Sequence, residues 1–423
     1  MSFRKRNERI NISSAVKRNP ISTSSISLGR EPPHISSRRT VDDHNVRSSV
    51  NQKTQESDNP GVKPSIITSG PTISTGVSDL DKILLHQGLP VGCSLLVEET
   101  GTSDYSSIIL KSFASQGVMH NRIQGNERNC HVIVVGASSN WLKELFGIYK
   151  GSTKEQKKAK IQENENKVSV SNLAVDSNRR DENNMKIAWR YGLNRKVQLE
   201  DPEIEKKYEF YNHQFDITQK LLPGPSTHDI SSVPVNTNFK KIIESIEGII
   251  KMNLRSNPSK IIRLVVPSFL HPLIYPPGCS QATFVIPFMH SLRQLLRKYS
   301  KNLVFVSSIA LSFYPRDSII TASLENLMDS VICLQPFNQE MAELINRAYR
   351  NEPSKAQQGL VNIFKIPILS EKGLMLIQEG EYAFKNGRKK FEIEEWGIPV
   401  DDVDDVKRED LENHSQTTKN IDF

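Results

Sequence analysis

Apolar and polar positions along the chain follow two alternating periods. Short, nearly continuous apolar runs, "CSLLVEE" (93–99), "CHVIVV" (130–135), "IIRLVV" (261–266), "NLVFVSS" (302–308) and the stretch 331–334, read as strands buried on both faces. The segments between them carry the helical period. "STGVSDLDKILLHQGLP" places Leu80, Ile83 and Leu84 on one face, with Ser78 as the expected N-cap, Asp79 and Asp81 in the first turn and Gly88 as the stop. After the turn at Gly101, Tyr105, Ile108, Ile109 and Phe113 recur at helical spacing. "FKKIIESIEGIIKM" gathers Phe239, Ile242, Ile243, Ile246, Ile249 and Ile250 on one face, "FMHSLRQLLRKYSK" leads into the strand at 302–308, and "LENLMDSVICLQ" into the one at 331–334. Helices alternating with strands of this kind predict an α/β fold with a mainly parallel sheet covered on both faces. "GLVNIFKIPIL", "GLMLIQ", "EYAFK" and "KKFEI" then follow in quick succession, as an antiparallel extension would.

Outside these elements the pattern is lost. Residues 1–70 are rich in Ser, Arg, Asn and Pro and show neither period, so they read as a disordered basic arm, either a nucleic-acid or phosphorylation tail or a solvated extension. Residues 401–423 read as an acidic disordered tail, and residues 151–184 as a polar surface insertion in a folded domain spanning 71–400. With 37% hydrophobic residues in 423, one substantial core is expected rather than several. No long apolar run and no apolar segment behind the charged N-terminus point to a membrane span or a secretory signal, so an intracellular protein without membrane contact is expected. Cys93, Cys130, Cys279 and Cys333 lie far apart without CxxC spacing and read as buried free thiols. The net charge of +7 permits contact with a polyanion, although much of the excess lies in the tails.

The stretch "EETGTSDYSS" joins a buried strand to a helix, which is where a phosphate-binding loop belongs. Such a loop reads GxxxxGK[ST]: glycines let backbone N–H groups reach the phosphates, Lys neutralises them, and the hydroxyl holds magnesium. The corresponding residues here are Glu99, Thr100, Gly101, Thr102, Ser103, Asp104, Tyr105 and Ser106. With Ser106 on the hydroxyl position, Tyr105 stands where Lys should be, Asp104 on the second Gly and Glu99 on the first. An unpaired carboxylate about 4 Å from a phosphate costs roughly 4 kcal/mol at an effective dielectric near 20, against about 0.3–1 kcal/mol gained from the helix dipole. Repulsion is therefore expected to win. In "RLVVPSF", Pro267 takes the place of the magnesium-associated Asp. Both losses argue against magnesium-ATP hydrolysis by this chain alone and leave open a composite site completed by a neighbouring subunit.

The segment "ISTGVSDLDKILLHQGLPVGCSLLVEE" resembles the approach to the phosphate loop in RecA-like and KaiC-like ATPases. The lysine-less loop "TSDYSSIILKSF", with "MKIAWRY", "QFDITQKL" and "SLENLMDSVICLQPF", resembles the PAXNEB family, that of the fourth subunit of the Elongator complex, over residues 72–400. The resemblance implies a RecA-like P-loop NTPase fold with a degenerate site, in a hetero-hexameric ring with Elongator subunits five and six. It further implies contact with the catalytic Elongator subcomplex, ATP at ring interfaces rather than a cofactor of this chain, and ATP-modulated tRNA binding. The ring would support wobble uridine modification, forming 5-methoxycarbonylmethyl- and 5-carbamoylmethyl-uridine, in cytoplasm and nucleus. In RecA-like rings the loop after the strand at 302–308 points into the channel, which makes Tyr314 a stacking face and Arg316 a phosphate contact for RNA, against the alternative of an ordinary loop turned by Pro315.

Other chemistry-bearing residues read as structural. His271 and His290 lack metal-ligand spacing, Ser307 and Ser308 lack a nucleophile elbow, and Arg293, Arg297, Lys298 and Lys301 form a solvated helix face more readily than an RNA patch. Trp189 and Tyr191 are expected to pack at a strand edge or a subunit contact. Two alternatives to the Elongator reading remain: a free-standing RecA-like NTPase or recombinase acting on DNA, and a scaffold working through its tails.

Overall fold

The computed structural model describes residues 59–123, 128–151, 208, 210–350, 352–367 and 380–397. In chain order its elements are β1 (Lys63–Pro64), β2 (Pro71–Ile73), α1 (Ser78–Ile83), β3 (Leu89–Pro90), β4 (Ser94–Glu99), α2 (Tyr105–His120) and β5 (Cys130–Val135). They continue with α3 (Ser139–Lys143), β6 (Phe146–Ile148), β7 (Phe215–Lys220), β8 (Ile230–Val233), α4 (Phe239–Ser256), β9 (Ile261–Val266), α5 (Ala282–Lys298) and β10 (Leu303–Ala310). Last come α6 (Ile319–Leu327), β11 (Ser330–Pro336), α7 (Gln339–Ala348), β12 (Gly359–Lys365), β13 (Tyr382–Asn386) and β14 (Phe391–Glu395).

Among the described residues nine strands form one sheet in the order β14-β13-β12-β11-β4-β10-β9-β5-β8. From β11 to β8 every neighbouring pair is parallel, whereas β12, β13 and β14 extend the sheet antiparallel beyond β11. Side chains of a strand alternate between faces, and the two layers of core follow that alternation. Leu95, Val97, Val132, Val134 and Val306 pack under α1 and α2, while Leu96, Ile133, Val135, Leu264 and Phe305 pack under α4, α5 and α6. The fold is RecA-like, a mainly parallel sheet with helices on both faces. β4 lies between two strands that come late in the chain, so its C-terminal end opens onto the crevice that such a strand order leaves.

The four cysteines are free and buried. Among the described residues no helix is long and apolar enough to cross a membrane. Several local expectations are corrected. Residues 59–70, read as part of the arm, are built into the domain: Lys63 and Pro64 pair with β2, Val62 is buried, and the Asn59 amide donates to the Asn129 carbonyl at 2.9 Å. The position before α1 is Val77, and no side chain caps that helix; Ser78 is already its first residue. Nor does Gly88 end it. The helix stops at Ile83, and Gly88, at φ +142°, sits where a Cβ would lie 2.5 Å from the Ile73 carbonyl oxygen. The expectations for the arm up to residue 58, for residues 152–191, "GLMLIQ" and the acidic tail lie outside the described residues.

Candidate functional site

β4 ends on two adjacent carboxylates, Glu98 and Glu99, which the pleat directs to opposite layers. Glu99 shares the α2 face with Leu95 and Val97. There its Oε1 accepts from the Ser103 hydroxyl at 2.7 Å and the Tyr105 N–H at 2.8 Å, and its Oε2 accepts from the Ser106 N–H at 2.9 Å. The first N–H groups of a helix have no partner within it and carry the positive end of its dipole. A phosphate normally answers both needs; here a carboxylate that is 3% exposed does so. Glu99 is therefore not the unpaired charge expected from the sequence, because its own loop supplies three donors.

The other loop residues follow from this closure. Gly101 turns the chain at φ +80°, and the Thr100 N–H donates to the Leu334 carbonyl at 3.0 Å, pinning the loop to β11. Asp104 takes the position before α2, and burial, then the neighbouring Glu99 charge, raises its carboxyl above the ordinary range. The Tyr105 ring packs on Phe384 of β13 with centroids 4.7 Å apart, so the residue in the lysine position joins the core of the antiparallel extension. Thr102, Ser103 and Ser106 line a cavity of about 360 Å³.

Across that cavity lie the ends of β9 and β10. Where a magnesium carboxylate would stand, Pro267 is followed by Ser268 and Leu270 in the left-handed region, at φ 47° and 62°. This turn is fastened to β10: the Ser268 N–H donates to Ser308 Oγ at 2.9 Å and the Phe269 N–H to the Ser308 carbonyl at 2.7 Å. Ser308, expected to be an ordinary strand-end residue, thus ties two strand ends together at the cavity wall, and Ser307 donates to the Val266 carbonyl at 3.2 Å. His271 and the half-exposed Phe313 complete the mouth, edge to face at 5.3 Å.

On the opposite face of β4, fully buried Glu98 accepts from Arg316 Nη2 at 2.6 Å, while Arg316 Nε donates to Glu325 Oε1 of α6 at 2.7 Å. The guanidinium also lies over the Phe364 ring, 3.4 Å from its centroid. Burial pushes the Glu98 carboxyl up, and the Arg316 charge opposes that shift. Tyr314 donates its hydroxyl to the Leu270 carbonyl at 3.1 Å and lies 2.9 Å from Ser280 Oγ. Both side chains expected to meet RNA are thus engaged within the chain, and a phosphate at Arg316 would compete with two carboxylates.

The "STGVSDLD" segment acts from behind the loop. Asp81 accepts from Ser74 Oγ at 2.6 Å, from the Thr75 N–H and hydroxyl at 2.7 and 2.6 Å, and from the Asn212 amide at 2.9 Å. Gly76, at φ +84°, lets this turn lie against α2, where a Cβ would stand 2.5 Å from the Ser112 carbonyl oxygen. Fully buried Arg263 of β9 donates to the Ser74 carbonyl at 2.8 Å and stacks on Phe113 at 4.5 Å. The motif is a clamp that holds α2, and with it the loop, against the sheet. Sequence reasoning missed Arg263, whose one signal is a charge in the middle of an apolar strand.

The PAXNEB protein family model matches residues 55–423. Elongator complex protein 4 of Saccharomyces cerevisiae is 41% identical over 99% of this chain and 96% of its own length. The proteins of the same name from Schizosaccharomyces pombe, at 29% identity over 83% of this chain and 91% of theirs, and from Homo sapiens, at 26% over 85% and 84%, are similar over most of both chains.

Proposed function

The chain belongs to the PAXNEB family, and from that premise we propose that it is a non-catalytic RecA-like subunit of the Elongator complex. In this reading it joins subunits five and six in a hetero-hexameric ring that docks on the catalytic subcomplex. The ring binds tRNA in an ATP-modulated way and supports wobble uridine modification to the 5-methoxycarbonylmethyl and 5-carbamoylmethyl forms, in cytoplasm and nucleus. ATP is held at ring interfaces rather than by the degenerate loop of this chain. The near full-length similarity to Elongator complex protein 4 supports the assembly. The observation that carries the non-catalytic part is the seat at the start of α2, filled by Glu99, with Tyr105 turned to Phe384 and Pro267 in the magnesium position. For tRNA, the loop carrying Tyr314 and Arg316 serves if Arg316 exchanges its carboxylates for phosphates. Exposed Arg297 and Lys301, at the opposite end of β10, offer cations that need no such exchange.

Affinity purification of the tagged chain with mass spectrometry, paired with phosphate release by the purified chain, tests the reading. Expected are the five other Elongator subunits and negligible turnover. Recovery without them, or robust magnesium-dependent turnover, would favour the free-standing NTPase instead.

A further inference from the structure

We propose that Glu99 is a built-in ligand of the anion seat at the start of α2, and that its carboxylate is what denies the adjoining cavity to phosphoryl groups. The seat itself is intact. Two backbone donors and a hydroxyl converge on the carboxylate at 2.7–2.9 Å, with one oxygen on Tyr105 N–H and Ser103 Oγ and the other on Ser106 N–H. α2 is 16 residues long, long enough to carry the dipole that favours an anion there. The space beyond is also intact, a cavity of about 360 Å³ walled by Glu99, Asp104, Ser106, Ser268, Ser308 and Phe313. Gly101, in the turn over the seat, lines the same cavity, and a Cβ there would meet nothing within 4 Å.

Two kinds of exclusion can be told apart here. Repulsion alone would act at a distance and be shared by Asp104 and Glu99. Occupancy belongs to Glu99 alone, because an incoming phosphate must take the same N–H groups and leave a buried carboxylate without donors beside a second anion. The geometry points to occupancy. The ligand class that the vacated seat would take is a phosphoryl anion, with inorganic pyrophosphate as its simplest probe. This inference does not rest on the ring: it concerns one cavity of one chain, and the purification above can fail while it holds.

The test uses the full-length chain as wild type, Glu99→Ala and Asp104→Asn, titrated with pyrophosphate by calorimetry, with hydrogen exchange of the peptide covering Tyr105 and Ser106 as the local readout. Expected for Glu99→Ala is an affinity gain of about tenfold or more over wild type, the scale of roughly one charge-assisted hydrogen bond. The same variant loses protection at Tyr105 and Ser106 and recovers it with pyrophosphate. Asp104→Asn stays within about twofold of wild type, since it removes a neighbouring charge and leaves the seat filled. A folded Glu99→Ala that gains nothing, or an Asp104→Asn that gains as much, overturns the proposal, as does tight binding by the wild type. If Glu99→Ala shows no cooperative melting, Glu99→Ser, which also removes the carboxylate from the donors but keeps a polar side chain at the end of β4, is judged by the same criteria.

Discussion

Replacing Arg316 by Ala should destabilise the domain by an amount that depends strongly on pH. The variant removes a 2.6 Å ion pair to Glu98, a 2.7 Å pair to Glu325 and the stack on Phe364. Glu98 is fully buried, and its Oε1 already lacks a protein partner, so nothing in place can take over. Stranding one partner of a fully buried pair costs about 3–5 kcal/mol. The Arg316 side chain is 38% exposed, however, so water already screens it and the expected loss falls to about 1–3 kcal/mol. Burial has raised the Glu98 carboxyl from 4.5 to about 7, and removing the cation that lowers it moves it further up. Below that range Glu98 is protonated in both proteins, and only the lost stack and the half-buried Glu325 pair count. Above it the wild type ionises against Arg316 while the variant holds its proton, so the penalty grows by up to about 1.4 kcal/mol per pH unit. Urea unfolding followed by circular dichroism near pH 6 and near pH 9 measures this. A double-mutant cycle with Glu98→Gln should return a coupling of about 1–2 kcal/mol at the higher pH and little at the lower. A penalty equal at both, with additive single variants, would refute the account of Glu98 as a buried carboxylate held by Arg316.

Two further outcomes follow from local geometry. Gly76→Ala should cost about 3 kcal/mol or more, a left-handed residue being forced against backbone as well, because its Cβ would stand 2.5 Å from the Ser112 carbonyl oxygen. Gly101→Ala has a similar φ but open space and should cost only about 1–2 kcal/mol; equal shifts in unfolding midpoint would contradict the clamp at Gly76. Burial holds the His120 imidazole well below its ordinary 6.5, so the unfolded chain takes up a proton there that the folded chain refuses. That contribution is present above about pH 6.5 and is lost as pH falls below it, by up to about 1.4 kcal/mol per unit. Asp81 and Glu98, raised by burial, titrate in the opposite sense, so the readout is the difference between wild type and His120→Gln at about pH 7.5 and 5.5. The wild type should lose more stability than the variant between the two, and parallel losses would count against a neutral buried His120.

The strands and long helices were legible because burial imposes a period on them: "IIRLVV" is β9 residue for residue, and the buried Ile242, Ile246 and Ile250 of α4 are half of the stripe expected there. What failed depends on partners far along the chain or on backbone angles. Residues 59–70 have no period of their own and are ordered by distant groups, as where Gly61 lies so closely against the His120 ring that a Cβ there would collide with its Nδ1. Arg316 has its carboxylate on β4, 218 residues away.

The loop failed in a more instructive way. Residue by residue its sequence is a list of losses, with Lys, two glycines and the magnesium Asp replaced by Tyr105, Asp104, Glu99 and Pro267, and in such a list Glu99 counts only by its repulsion of a phosphate. Yet a helix that begins against a buried strand needs an acceptor for its first N–H groups whether or not a nucleotide is present. Once phosphate is no longer that acceptor, the chain has to provide one, from a position that the strand period aims at the helix start. Glu99 ends β4 on the α2 face and meets that need, whereas Glu98, one residue earlier, is turned to the opposite layer and meets Arg316 instead. Losing the lysine and gaining the glutamate are on this view one substitution of ligand, from a bound anion to a covalently attached one. The backbone shape of a phosphate-binding loop persists because the need for an anion persists.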